Sequence, residues 1–469
     1  FAVGIFYDQR DTQFRCTLCD DRDALMSEGG YCARRAHRCA TNLLPTFLLA
    51  ASVFVMVTPS LVRSTGNWVV ADRFWDREIE LELFKERIEE RAHLLVVAPR
   101  RIGKTSLLKE AARQLGGRYL CLFVDFQQAS SAADAVVDLS LAVHPHKPLW
   151  EKTKDIFQNV LHETVESVKI KELAITLRSG LTAGDWAAKG DRLFEILAGN
   201  DRPVLLLFDE LPILVNRLLK GSDYQITPER RQAADEFLSW LRSNSTRHQE
   251  MVTIVIAGSI GLEPVARQGG LSAALNMLTP FHLGPWSPEI AIGCLTALAN
   301  KYGLTMEREA LTEMVSLLGV CIPHHVQMFF DYVYQACRLR RIVQVSPDLV
   351  TEVYNRSMLG TRGHMELSHL EERLRMVLGP KVDLLALDLL TEAAVTGSLS
   401  PGVAHTIARE HFEEHWKPNL REVLSILEHD GYLVSRSEVY VFVSRLLKDW
   451  WAARFGFTYI PISKRGPNL

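Results

Sequence analysis

His93-Leu94-Leu95-Val96-Val97-Ala98-Pro99-Arg100-Arg101-Ile102-Gly103-Lys104-Thr105-Ser106-Leu107-Leu108 is the stretch on which the reading of the chain turns. An apolar run short enough for a buried strand breaks into a turn, the turn closes with Gly103-Lys104-Thr105, and a helix begins. That order is the signature of a phosphate-binding loop. The loop Ala98, Pro99, Arg100, Arg101, Ile102, Gly103 and the helix start Lys104, Thr105, Ser106 would cradle phosphates with successive backbone N–H groups and a helix N-terminus. Lys104 would add a point charge at the β and γ groups, and the Thr105 hydroxyl would ligate magnesium. The full pattern has glycine where this chain has Ala98. The loop tolerates the change if Ala98 keeps an ordinary backbone conformation.

A second stretch, Pro203-Val204-Leu205-Leu206-Leu207-Phe208-Asp209-Glu210-Leu211-Pro212, supplies what a phosphate loop lacks. Its apolar run has no polar alternation, as expected of a parallel strand covered on both faces, and it ends in two adjacent carboxylates. Strand C-termini are where such sheets place ligands. Asp209 would hold magnesium and Glu210 would polarise the water that attacks a γ-phosphate, across strands expected to adjoin, with Lys104 and both acids facing one cavity.

The remaining composition narrows the class. The 469 residues are 47% apolar, enough core for about two to three domains. A formal net charge of −3 gives no global basic signature of nucleic-acid binding, which leaves only local patches for that role. Cys121, Cys294, Cys321 and Cys337 lie in apolar contexts that suit reduced, buried thiols and a cytoplasmic protein.

Residues 1–63 stand apart. They begin with Phe1, carry Cys16 and Cys19 with Cys32 and Cys39 further on, then Arg34-Arg35-Ala36-His37-Arg38, then an apolar run from Leu43 to Val62. The cysteine spacing suits a four-cysteine zinc site poorly. The apolar run has the length of a membrane anchor but contains Pro45 and Pro59. The favoured expectation is a segment upstream of an internal start such as Met56, which makes a membrane partner unexpected.

Phe74-Trp75-Asp76-Arg77-Glu78-Ile79-Glu80 opens an expected amphipathic helix that leads to the phosphate-loop strand. Two aromatics followed by Arg-Glu-x-Glu resemble the signature that precedes the phosphate loop in signal-transduction ATPases with numerous domains (STAND), a branch of the AAA+ superfamily, with Asp76 standing where that family has glycine. The resemblance implies that Phe74, Arg77 and Glu78 lie near a bound adenine. Tyr119 to Phe126 is a further strand, followed by a long helical insertion to about Gly199. Val252-Thr253-Ile254-Val255-Ile256-Ala257-Gly258-Ser259-Ile260-Gly261-Leu262 is the fourth strand, and its terminal Ser259 stands where this class keeps a polar group for the attacking water or the γ-phosphate.

From Ser64 to about Arg340 the chain resembles archaeal-type ATPases of the AAA+/STAND group, in the wording Pro-Arg-Arg-Ile-Gly-Lys-Thr-Ser and Ala-Gly-Ser-Ile-Gly-Leu. The resemblance implies a helical lid, begun by the cap Trp286-Ser287-Pro288-Glu289. Within it Gly319-Val320-Cys321-Ile322-Pro323-His324-His325 resembles the lid turn whose Gly-x-Pro element approaches the nucleotide, which implies a place for Pro323 there, with His324 or His325 where many relatives carry an arginine. An arginine finger would come from Arg242, Arg247 or Arg267, with no sequence ground for choosing.

Beyond residue 346 the text reads as three helices and a hairpin, Val439-Tyr440-Val441-Phe442-Val443 being its return strand: a winged helix. Its recognition helix carries Lys417 and Arg421 against Glu422, Glu428 and Asp430, so a protein-interaction or autoinhibitory role is favoured over DNA.

The expected architecture is therefore α/β, an ASCE-type P-loop three-layer parallel sheet (64–286) with a helical lid (287–345), then a winged-helix domain (346–469). Two functions fit it: an ATP- and Mg2+-dependent ATPase switch acting on a protein partner, a second copy of itself or DNA, and a nucleotide-binding module with negligible turnover.

Overall fold

The computed structural model describes residues 61–66, 68–158, 170–182 and 184–465. The cysteines, basic cluster and nearly all of the apolar run that drew the three N-terminal readings lie outside them. Among the described residues no helix is long and apolar enough to cross a membrane.

In chain order, α1 (Glu78–Glu89) leads to β1 (Leu94–Val97), α2 (Lys104–Leu115) and β2 (Leu120–Asp125). The insertion follows as α3 (Ala132–Val143), α4 (Lys147–Lys154), α5 (Ile170–Ser179) and α6 (Trp186–Ala198). Next come β3 (Val204–Asp209), α7 (Leu211–Lys220), α8 (Pro228–Arg247), β4 (Val252–Ile256), α9 (Leu262–Gln268) and β5 (Thr279–His282). The lid is α10 (Pro288–Tyr302), β6 (Thr305–Met306), α11 (Arg308–Leu318), α12 (Pro323–Arg340) and β7 (Gln344–Val345). The C-terminal part holds α13 (Pro347–Val353), α14 (Thr361–Leu367), α15 (His369–Leu378), α16 (Val382–Thr396), α17 (Pro401–His411), α18 (Trp416–His429), the hairpin β8 (Leu433–Arg436) and β9 (Val439–Phe442), and α19 (Arg445–Phe455).

The five strands of the main sheet run parallel in the order β2-β3-β4-β1-β5. Alternation along each strand feeds two cores. Leu94 and Val96, Leu205 and Leu207, and Val255 point into the layer held by α1 and α2. Leu95, Val204, Leu206, Phe208, Ile254 and Ile256 point the other way, into the larger core. Each fully buried aliphatic contributes about 1.5–3 kcal/mol, so the uninterrupted apolar runs are what a sheet covered on both faces requires.

Three sequence expectations need correction. The acidic strand does not adjoin the phosphate-loop strand, because β4 lies between them, buried at every position. A fifth strand, β5, pairs on the far side of β1. It was unforeseen because three of its four residues are exposed and Pro280, with no N–H to give, suits only an edge. Phe74 does not open a helix: Asp76 (φ 56°) and Arg77 (φ 81°) are left-handed, and α1 starts only at Glu78. A left-handed Asp76 accounts for the glycine that the STAND signature has there, since aspartate is among the few side chains that tolerate the conformation.

Within the last hundred residues α16, α17 and α18 and the antiparallel hairpin β8-β9 form the winged helix, flanked by α15 and α19, with a bridge from Leu399 to Tyr440 that gives the sheet of the wing its third strand. Ser437 and Glu438 turn the hairpin with both φ values positive, a turn without the usual glycine or asparagine signal. The described residues from Leu61 to Arg465 form one compact unit.

Candidate active site

The C-terminal ends of β1, β3 and β4 open into a cleft of about 430 Å3. Its lining includes Arg100 to Ser106 of the loop and α2, Asp209, Glu210, Ser259, and from the lid Pro323 and His324. Lys104 and the acid pair thus face one cavity.

The loop is shaped by two left-handed residues, Arg101 (φ 63°) and Gly103 (φ 100°), whereas Ala98 has no positive φ. The glycine of the full motif is therefore not needed at Ala98. Lys104 is 9% exposed, and its Nζ donates to the carbonyls of Ala98 and Pro99, each at 3.0 Å. Burial, with repulsion from Arg373, pushes its pKa down to about 8. A buried ammonium whose hydrogen bonds go only to neutral carbonyls is short of negative charge, and the orphan N–H groups of the first turn of α2 share that shortage. Ile102 is buried beneath the loop, and Ser106 accepts from the Val69 N–H at 3.0 Å, tying down the segment before α1.

Thr105 Oγ1 donates to Asp209 Oδ2 at 3.0 Å. Burial and the neighbouring Glu210 push the Asp209 carboxyl up to about 6. A hydroxyl and a carboxylate at this separation suit a hard divalent cation that keeps most of its water, and a pair of charges that resists ionising together gains from one. Asp125, in register with Asp209 on β2, adds a further carboxylate at the sheet edge that the sequence reading did not single out. Among the described residues no cluster of three or more His, Cys, Asp or Glu side chains could hold a metal, so protein ligands alone would not complete a coordination shell.

Glu210 caps α7 in a left-handed conformation (φ 59°, ψ 20°). Its Oε2 accepts from both the N–H and the hydroxyl of Ser259, at 2.8 and 2.9 Å. The serine expected to serve a water or phosphate directly thus orients the glutamate. Gly258 makes this approach possible, since a Cβ there would sit 2.7 Å from the Pro212 ring.

The residues placed near adenine by resemblance separate. Phe74 and Arg77 line the cleft, but Arg77 is committed to Glu80 and to the Gly284 carbonyl, both at 2.6 Å, and Glu78 is exposed at the start of α1. Trp75, the second aromatic of that signature, and Trp286, at the start of the lid cap, line the cleft beside them, as does Leu283, which had no motif to announce it. His325 is buried away from the cleft lining, and burial beside Arg101 pushes it down to about 4. His324 lines the cleft with its Nε2 3.5 Å from Glu366 Oε2, and burial, His325 and the loop arginines push it down to about 2. Arg242 donates to the Ala273 carbonyl and Arg267 to Glu263 and Ser425; neither they nor Arg247 line the cleft. The four described cysteines are free thiols, Cys294, Cys321 and Cys337 buried, as expected.

Fold and site together define a class: an α/β P-loop ATPase fold in which a strand separates the phosphate-loop strand from the acidic one. Among solved structures the chain is similar to the Walker-type ATPase of Pyrococcus abyssi, at 14% identity over 83% of this chain and 99% of that one, with a TM-score of 0.55. It is similar more loosely to the ORC2 protein of Aeropyrum pernix, solved as ADPNP–ADP complexes, at 13% identity over 81% and 93% of the two chains and a TM-score of 0.47. No family model and no curated protein matches the chain. The fold is that of an archaeal Walker-type ATPase.

Proposed function

We propose that the chain is an ATP-binding and ATP-hydrolysing switch of AAA+/STAND type. The observation that carries the reading is the convergence of Lys104, Thr105, Asp209 and Glu210 on one cleft. The loop from Ala98 to Gly103 and the first turn of α2 bind the phosphates, and Lys104 exchanges its carbonyl partners for β and γ oxygens. Thr105 and Asp209 would hold magnesium, which supplies charge neutralisation at those oxygens. Ser259 fixes the Glu210 carboxylate, and Glu210 orients the attacking water and takes its proton. Phe74, Trp75, Trp286 and Pro323 offer the base an apolar wall.

The core (64–286), lid (287–345) and winged helix (346–469) act as separate bodies in this reading, and nucleotide state sets their contact with a protein partner, a second copy of the chain or DNA. The test is steady-state phosphate release alongside nucleotide binding. Lys104→Ala is expected to lose both. Glu210→Gln is expected to keep binding and lose about 10²-fold or more in turnover. Wild-type turnover from Glu210→Gln would overturn the base assignment. Lys104-dependent binding without turnover in wild type would favour a nucleotide-binding module, in which the two hydrogen bonds from Ser259 to Glu210 would then serve as structure.

A further inference from the structure

Two surface stretches of opposite charge carry apolar side chains that nothing among the described residues covers. The first is on α1. Its inner face buries Leu81, Phe84 and Ile88, while Ile79 and Leu83, one turn apart, are 71% and 50% exposed. Glu78, Glu82 and Glu86 follow one another at the same spacing of four and form an exposed acidic row beside that pair. The other carboxylates of the segment are committed, Glu80 to Arg77, Glu89 to Arg118 and Glu90 to Arg87, whereas these three have no ion-pair partner among the described residues.

The second stretch is the far end of the lid. There α12 closes with Arg338-Leu339-Arg340, and Arg341-Ile342-Val343 lead on to β7, all six being exposed. Leu339 is 82% exposed and Val343 59%. Arg340 and Arg356 share one carboxylate, Glu352, and Arg338 and Arg341 have no ion-pair partner among the described residues, so the tract is basic. Lone exposed apolar side chains are ordinary on a surface. A cluster of them rimmed by uncompensated charge of one sign is the mark of a contact surface, and its partner should be apolar and of the opposite sign. A polyanion alone would engage the arginines and leave the leucine, isoleucine and valine in water. The face of α1 matches both properties.

The two do not meet within one chain: among the described residues no hydrogen bond or ion pair joins them. The tip of the lid is also well away from the cleft, because α12 runs 18 residues, about 27 Å, from Pro323 in the cleft lining to Arg340. We propose that the chain associates head to tail, the acidic and apolar face of α1 on one copy docking against the basic and apolar tip of the lid on a second copy. The inference goes beyond the proposed nucleotide function and does not rest on it. Since the two surfaces differ, each contact leaves a free α1 at one end and a free lid tip at the other, so association continues past a dimer or closes into a ring. It also seats the lid of one copy against the helix that follows Arg77, a cleft residue, in the next.

The experiment is sedimentation velocity of the full chain without nucleotide, over about 1 to 100 µM at about 0.1 M salt, where screening sets in beyond roughly 10 Å. Wild type is expected to gain mass with concentration, and to need roughly tenfold more protein for the same gain at about 1 M salt. Glu82→Arg/Glu86→Arg and Arg338→Glu/Arg341→Glu, each with native circular dichroism, are expected to stay monomeric alone. Mixed in equal amounts they should associate, because every contact between unlike variants again joins opposite charges. Leu339→Ser leaves the charges as they are and should weaken association about tenfold; it also tests the contact if a reversal variant fails to fold. A monomeric wild type throughout, association that ignores either reversal or Leu339→Ser, or a mixture no larger than its components overturns the proposal. So does a monomer that binds duplex DNA or phosphatidylserine vesicles through Arg338 and Arg341, which would give the tip of the lid to that surface. None of these outcomes bears on phosphate release or on Lys104, so the proposed function stands or falls separately.

Discussion

At the scale of single residues, the loop separates what the motif needs from what it usually contains. Ala98 carries an ordinary backbone conformation, whereas Gly103 is left-handed at φ 100° with open space where a Cβ would go. Strain alone therefore decides the second position. Ala98→Gly is expected to leave nucleotide affinity within about twofold and to cost about 0.5–1 kcal/mol through the freer unfolded chain. Gly103→Ala is expected to cost about 1–2 kcal/mol and to weaken binding clearly, because relief of the strained φ tilts the first turn of α2. Denaturant melts and a binding titration of the two variants check the contrast, and equal losses would contradict it. Glu210 is strained in the same sense at φ 59°, but there two hydrogen bonds from Ser259 hold the conformation.

At the scale of elements, legibility followed the length of the signal. The phosphate loop and the acidic strand each sit in one continuous stretch whose residue types, in that order, suit phosphate and metal binding far better than a plain turn, so β1, α2 and β3 could be read directly. β5 could not, since Thr279-Pro280-Phe281-His282 has neither alternation nor an apolar run and takes its extended form by pairing along β1, with His93 O and Val97 O accepting from the N–H groups of Thr279 and Leu283 at its ends. Arg373 and Asp430 had no signal at all, because tertiary docking alone brings α15 and the end of α18 to a loop more than two hundred residues upstream. The insertion, read as structural, offers its own test on α3. Arg178 lies 3.0 Å from Asp134 but 3.7 Å from Asp138, whose Oδ2 has no hydrogen-bond partner among the described residues. Burial pushes Asp138 up to about 6, with Arg178 opposing and Asp134 and Asp125 reinforcing. A raised carboxyl holds its proton in the folded state after the unfolded chain has released it, so this group removes stability as pH rises from about 4 to 6, with no further change above. Asp138→Asn is expected to gain on wild type across that window by on the order of 1 kcal/mol, reduced for solvent screening, and to run parallel to it above pH 7. Urea melts at pH 4.5, 6 and 7.5 measure it, and a constant offset would sink the assignment.

At the scale of the whole molecule, the C-terminal part is fastened to the ATPase core along a line that ends on the winged helix. Asn216 donates to the Met376 carbonyl at 3.1 Å, Lys220 to the Val377 carbonyl, and Arg101 lies 3.7 Å from Glu366. The same fastening involves α18. Arg267 of α9 donates to Ser425 Oγ at 2.9 Å, and a Cβ on Gly261 would overlap the His429 ring. Helical spacing of four puts Lys417, Arg421 and Ser425 along one side of α18; Lys417 and Arg421 stay exposed, while the Ser425 and His429 end of that helix is turned toward the core and narrows the approach of a duplex to it. The docked chain should therefore hold duplex DNA weakly and without sequence preference. Gly261→Ala pushes His429 away without touching the cleft lining, and is expected to raise DNA affinity several-fold at 50 mM salt. Two basic side chains release about two counterions, so log K against log salt should fall with a slope of about −2 in that variant and lose it when Lys417 and Arg421 are both replaced by alanine. A gel-shift series between 50 and 200 mM salt decides the matter. If Gly261→Ala binds DNA no better than wild type, or binds it with a slope that ignores Lys417 and Arg421, that side of α18 serves the core or a protein partner rather than a duplex.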